Sequence, residues 1–277
     1  MADLLPAAPA GEVAVEEMGD RVVLSAAGRR YTFDRASGRL TGVRVEGQVR
    51  SLRQDTLLAA GQMVVDTAYL WQDGAVQVFS CRSRRDRKET FAEWHWRVAP
   101  DGRLGLQVSY LPAQGYYDYL GISFSYPEEK VQGIRYLGQG PYRVWKNRMR
   151  GTSLGVWEKA YNNTVTGESW AYPEFKGFHA GLYWAILDTE EGPIRVYSAT
   201  EGLFLHLFTP DQPQMAYNEN TDGLFPTAGN LSFLHAISPI GTKFKKSTQI
   251  GPQGQPNMFF YNGRDPMPLY MELWFSF

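Results

Sequence analysis

Between Tyr136 and Tyr183 the chain sets three tryptophans, Trp145, Trp157 and Trp170, among Tyr142, Tyr161 and Tyr172, with Asn162, Glu174 and His179 between them. These residue types together suit one chemistry. A flat ring offers an apolar face to the C–H side of a sugar, while an amide, an imidazole or a carboxylate bonds its hydroxyls. Apolar walls with a few placed polar groups are what ligand pockets use. The candidate carbohydrate-binding set is therefore Trp145, Trp157, Tyr161, Asn162, Trp170, Glu174 and His179. In it the three indoles stack on sugar faces, and Asn162 and His179 bond hydroxyls. Glu174 either bonds a hydroxyl or, following Pro173, holds loop N–H groups. The competing reading is structural, because aromatics also supply much of the burial in a large β-protein.

Other chemistries are poorly supplied. Cys81 is the single cysteine, so neither an intrachain disulfide nor a thiolate metal site can form, and its surroundings read as a strand core. Asn218-Glu219-Asn220-Thr221-Asp222-Gly223 offers oxygen ligands and a turn glycine for calcium. It lacks the complete twelve-residue loop, and Asn, Asp and Gly gather in turns for conformational reasons anyway. The expectation is no cofactor. Gly138-x-Gly140 is not a phosphate cradle, since the third glycine is missing and Pro141 removes an N–H donor. The basic run Arg82 to Lys88 is broken by Asp86 and reads as a solvated turn or strand edge. A net charge of −1 gives no long-range attraction to nucleic acid or anionic membrane. No apolar segment approaches the roughly 18 to 20 residues that span a bilayer, and the first twenty residues carry no signal peptide.

Several short segments resemble the C-terminal domain of family 2 β-galactosidases. They are Tyr136-Leu137-Gly138-Gln139-Gly140-Pro141-Tyr142, the Asn147-Arg148 pair, and Tyr172-Pro173-Glu174 followed by Gly177. Tyr31-Thr32-Phe33-Asp34-Arg35-Ala36-Ser37-Gly38-Arg39-Leu40 is similar to the strand–turn–strand that opens that domain. The chain departs from the family where Arg143, Val144 and Trp145 replace Glu, Asn and Tyr, and His179 lies near a common family Arg. The resemblance implies a galactose-mutarotase-like β-supersandwich and a non-catalytic, carbohydrate-binding accessory role in a larger glycoside hydrolase. The partners it implies are an oligo- or polysaccharide and the catalytic domain of the parent chain, with no nucleic acid and no membrane insertion. It also implies export to the periplasm or cell exterior as part of that parent. In the family the two hydrolytic carboxylates lie in a separate barrel. Such a barrel takes about 250 residues, which this chain does not spare. One alternative is a purely structural domain that completes a neighbouring barrel. Another is an aldose-epimerase-like enzyme using one of His95, His179, His206 or His235 with a carboxylate.

The elements that must position these residues are strands. Val13–Glu17 and Arg21–Ser25 flank Gly19-Asp20, and Arg30–Asp34 and Leu40–Val45 flank Ser37-Gly38, both hairpin signals. Phe91 to Val98 alternates clearly, with His95 on the opposite face from Trp94 and Trp96. Turn signals every eight to twelve residues mark an all-β sandwich. We therefore expect an all-β supersandwich of two large antiparallel sheets: a linker over 1–11, then a single domain over 12–277. Leu52 to Leu70 is expected to be a loop with a short helical turn, from the helical propensity of Leu57-Leu58-Ala59-Ala60. Asp211 to Gly229 is long, polar and punctuated by Pro213 and Pro226, as functional or disordered loops are.

Overall fold

The computed structural model describes residues 11–57, 64–84, 91–161, 176–207, 230–262 and 266–277. Residues 1–10 of the expected 1–11 linker and the Asp211–Gly229 loop, with its candidate calcium ligands, lie outside the described residues.

The fold is all-β and antiparallel. Five strands, β1 (Ala14–Met18), β2 (Arg21–Ala26), β3 (Arg29–Asp34), β4 (Leu40–Val45) and β5 (Gln48–Arg50), form a meander in chain order. The expected hairpins at Gly19-Asp20 and Ser37-Gly38 are its first and third turns. Alternation decides which face is buried: Val22, Leu24, Tyr31, Phe33 and Leu40 point into the main core. Between them Arg21, Thr41 and Arg44 are exposed, whereas Val23 is buried on the other face.

The remaining long strands build one large sheet. They are β6 (Arg53–Leu57), β7 (Val64–Asp73), β8 (Val76–Arg84), β9 (Phe91–Val98), β10 (Leu104–Leu111), β12 (Leu120–Ser125), β13 (Val131–Val144), β14 (Ser153–Ala160), β15 (Phe178–Thr189), β16 (Ile194–Ser198), β17 (Phe204–His206), β18 (Leu231–Ala236) and β20 (Leu269–Ser276). Two short strands, β11 (Gly115–Tyr117) and β19 (Asn257–Phe259), pair by themselves.

The expectation for Leu52 to Leu70 is corrected. Arg53–Leu57 is a strand paired to β12, and Val64–Asp73 is a strand paired to β8, so Leu57 is extended. Ladder bonds to a neighbour outweigh the modest helical preference of a Leu-Ala run, because propensity differences are only tenths of a kcal/mol per residue. The residues between, 58–63, lie outside the described residues.

The meander is held to the large sheet by its apolar face and by a few buried hydrogen bonds. Trp94 and Trp96 on β9 both donate their indole N–H to the Gly38 carbonyl, at 2.8 and 3.1 Å. The Tyr31 hydroxyl donates to the Gly102 carbonyl at 2.5 Å. Cys81 is buried in this core, as a strand-core cysteine should be. His95 lies on the other face of β9, half-buried. Ser80 Oγ accepts from Trp71 Nε1 at 2.7 Å and shares a hydrogen bond with His95 Nδ1 at 2.7 Å.

β15 divides its pairing. Trp184 to Leu187 pair with β16, while His179 pairs with Leu205 on β17. Gly181, at φ +57°, sits between the two halves. An L side chain rarely adopts that conformation, so glycine permits the bend that lets one strand serve two sets of neighbours. This bend carries His179 and Phe178 away from the line of the rest of β15.

Candidate functional site

The site is built where β13, β14, the first residues of β15, and β17 converge. β13 and β14 pair antiparallel with Tyr136 opposite Trp157 and Gly140 opposite Ser153. On β14 a period of two places Trp157, Lys159 and Tyr161 on one face. Here Lys159 is buried, and Trp157 and Tyr161 are half-buried. From β15 comes His179, 1% exposed, and from β17 its neighbour His206, fully buried. Tyr136 packs edge-on against the His179 ring at 4.7 Å between centroids, and Phe178 lies 5.8 Å from the His206 ring.

Gly140 makes room for the aromatic rim. A Cβ there would stand 2.5 Å from both Trp157 Cδ1 and the Tyr136 hydroxyl oxygen. Trp157 donates its indole N–H to the Gly138 carbonyl at 3.2 Å, which fixes the ring over the strand. Lys159 Nζ donates to the Pro141 carbonyl. Both bonds return to the Gly138–Pro141 segment, so β14 side chains hold the second half of β13.

Electrostatically the site is a buried cationic patch. Burial, and then the positive charge of Arg143, push the Lys159 ammonium down to about 7. Burial also lowers Arg143 to about 10, against the opposing influence of Tyr136 and Tyr161. His179 is pushed well below the ordinary imidazole range by burial, and further by Arg143, Lys159 and His206. It is therefore neutral at physiological pH, with one nitrogen able to donate and the other to accept. Both His179 ring nitrogens and the Tyr136 hydroxyl are buried with no hydrogen-bond partner among the described residues.

The sequence-predicted residues separate into three groups. Trp157, Tyr161 and His179 are brought together. Trp145 is not a ring on the surface: it is 1% exposed, packs edge-on against Phe178 at 5.3 Å, and donates its N–H to the Lys176 carbonyl at 2.8 Å. A ring buried with Val144, Phe178 and Ile240 in a second small core has no face left for a sugar. Asn162, Trp170 and Glu174 lie outside the described residues. Of the aromatic residues in this stretch, Tyr136, Tyr142, Trp157 and Tyr183 belong to strands.

A sequence profile of the β-galactosidase small chain family matches residues 25–221. The chain belongs to that family. Among solved structures, it is similar to a candidate aldose 1-epimerase from Escherichia coli K12. That match has 9% identity and a TM-score of 0.44, and covers 95% of this chain and 98% of the other. No curated protein matches by sequence.

The family segments now have places. Tyr136 to Tyr142 is the second half of β13, and it contributes Tyr136 and the Gly140 gap to the site. Asn147 exchanges two hydrogen bonds with Ile240, at 2.8 and 2.9 Å, and Arg148 donates to the Gly241 carbonyl at 2.6 Å. That pair braces the 237–241 segment and does not enter the site. Inspection of the sequence missed Lys159, and named Arg143 only as a departure from the family and His206 only as one of the four histidines of the epimerase-like alternative. Lys159 alone carried a signal: it shares the Trp157–Tyr161 face of an alternating strand, where a core-facing lysine is unusual.

Proposed function

We propose that the chain is a non-catalytic, carbohydrate-binding accessory domain of a larger, exported bacterial glycoside hydrolase of family 2. The single observation that carries this reading is the neutral, buried His179 packed on Tyr136, whose partner across the β13–β14 ladder is the half-buried Trp157. A buried imidazole with both nitrogens unbonded costs on the order of 1 to 3 kcal/mol per unsatisfied group. A sugar hydroxyl, which donates and accepts, would satisfy such a ring where the half-buried Trp157 and Tyr161 rim opens onto it. The Tyr136 hydroxyl beside it has the same dual capacity. The indole and phenol then offer apolar faces at the rim. Asn162, Trp170 and Glu174 complete the sugar-facing set in this proposal, and no metal or cofactor takes part.

Retention of the isolated chain on galactoside and galactan affinity gels, followed by a glycan array, tests this reading. Trp157→Ala and His179→Ala should each abolish retention of neutral galactosides while circular dichroism stays unchanged. No retention of any neutral glycan by the wild-type chain would overturn it. An anomer-interconversion assay on the same sample separates it from epimerase-like catalysis.

A second reading has its own support. Tyr116 and Phe260 pack edge-on at 5.4 Å, and with Met258 they leave an exposed apolar strip on the β11–β19 ribbon. Such a strip suits packing against a neighbouring domain of the parent chain. Burial of Trp145 favours this scaffold role as well. No helix among the described residues is long and apolar enough to cross a membrane. Fractionating cells that express the native gene checks the export proposal, which a purely cytosolic product would overturn.

A further inference from the structure

The outward face of the β1–β5 meander is not a plain solvated surface. With the Ser51–Asp55 segment and the end of β12 it encloses an open groove of about 1190 Å³. Five arginines line it: Arg21, Arg39, Arg44, Arg50 and Arg53. Two carboxylates line it as well, Asp34 and Asp55, and both are engaged locally. Asp34 accepts from the Ser37 amide at 2.7 Å and from its hydroxyl at 2.5 Å, and Asp55 accepts from Ser125 Oγ. Arg44 donates to the Gly47 carbonyl at 3.2 Å. The other four guanidinium groups form no ion pair among the described residues. Five positive and two negative groups line one groove of a chain whose net charge is −1, so the cationic charge is concentrated there.

We propose that this groove binds an acidic oligosaccharide, its carboxylate or sulfate groups held by the arginine forks. Guanidinium groups match both anions with two parallel N–H bonds, and arginine rather than lysine is the residue of that geometry. No lysine lines the groove. Hydroxyl and amide groups of Thr32, Thr41, Ser51 and Gln54 stand between the arginines, and they suit the hydroxyls between the acidic groups of a glycan. An acidic protein partner fits less well. Protein interfaces need an apolar centre, while Leu40 and Val43 of the lining are fully in the core and only Val49 is exposed. Nucleic acid fits less well again. The one aromatic in the lining, Tyr126, is 3% exposed, so no ring is available for bases to stack on. The groove shares no residue with the Trp157–His179 site, and the proposal holds whether or not that site binds a neutral sugar.

Isothermal titration of the full chain at low ionic strength tests it, with two glycan probes: oligogalacturonate for carboxylate and a heparin-derived hexasaccharide for sulfate. Poly-glutamate, a single-stranded oligonucleotide and a neutral galactan oligomer run beside them. Arg39 and Arg53 are exposed, so the charge-reversed pair R39E/R53E should keep its thermal midpoint and circular dichroism spectrum. The expected result is binding of at least one acidic glycan, weakened about tenfold or more by R39E/R53E and weakened by added salt. Trp157→Ala should leave that binding unchanged. The tighter of the two acidic probes identifies the anion. Failure of both acidic glycans to bind, equal affinity in R39E/R53E, or tighter binding of poly-glutamate or the oligonucleotide would overturn the proposal. Loss of neutral-galactoside retention in the same preparations concerns only the other site.

Discussion

At the scale of single residues, the two indoles that sequence types make equivalent have opposite fates. Trp145 fills the second small core, whereas Trp157 lies half-buried opposite Tyr136. Trp145→Ala should cost about 3 to 5 kcal/mol, through lost burial and the cavity left behind. A chemical-denaturation midpoint unchanged from wild type would show that the ring is dispensable to the fold. Glu191 is a second informative residue. Its carboxylate accepts from Lys130 Nζ at 2.6 Å, from the Ser51 amide and hydroxyl at 2.7 Å each, and from the Tyr126 hydroxyl at 3.1 Å. Burial pushes this carboxyl up, but the bonds from Lys130, Ser51 and Tyr126 outweigh it and hold the group at about 2. A carboxyl depressed in the folded state contributes stability above its unfolded pKa, and that stability is lost as pH falls towards the folded value. Unfolding of the wild type should therefore steepen between about pH 4.5 and pH 2. Glu191→Gln should be less stable by about 2 kcal/mol at neutral pH, with the difference closing in acid. A constant difference across that range would contradict the assignment.

At the scale of elements, the site depends on the bend in β15. Gly181 stands at φ +57° between the half that pairs with β16 and the half that carries His179. A Cβ at that position would also approach Gln139 Cγ at 3.1 Å. Gly181→Ala should destabilise the chain by roughly 1 to 2 kcal/mol. It should also shift the Tyr136 and His179 ring resonances in NMR spectra while leaving the meander's amides in place. Gly140→Ala works differently, because its cost comes from displacing Trp157 and Tyr136 and not from backbone strain. Overpacking of that kind costs typically about 1 to 3 kcal/mol.

At the scale of the whole molecule, one continuous core joins the β1–β5 meander to the large sheet. Val22, Tyr31 and Phe33 share it with Trp96, Leu106 and Phe275, and the rings of Phe33 and Trp96 lie 5.5 Å apart. Neither layer can lose the other without exposing its apolar face. Scanning calorimetry should show one cooperative transition, and two separated transitions of comparable enthalpy would mean that the layers unfold independently. Far-UV circular dichroism should show β-sheet with very little helix. A helix fraction near the average of about 30% for soluble proteins would contradict the architecture.

The strands were legible in the sequence because alternation and turn residues are local properties. The Phe91–Val98 face pattern, the hairpins at Gly19-Asp20 and Ser37-Gly38, and the strand-core place of Cys81 all follow from two-residue periodicity and turn chemistry. The short Gly- and Pro-rich segments also pointed to the family, since they mark conformations few other residues permit. Periodicity assigns a residue to one of two faces, but it does not say which face another layer covers. That decision belongs to the tertiary structure. It buried Trp145 against Phe178 and left Trp157 at the rim. It made strands of Arg53–Leu57 and Val64–Asp73 by giving them neighbours to bond. It also collected Tyr136, Arg143, Lys159, His179 and His206 from strands as far as 70 residues apart in the chain into one dry place. The lowered basicity of Arg143, Lys159 and His179 comes from burial, and for Lys159 and His179 also from neighbouring positive charge, neither of which exists until β13, β14, β15 and β17 have converged.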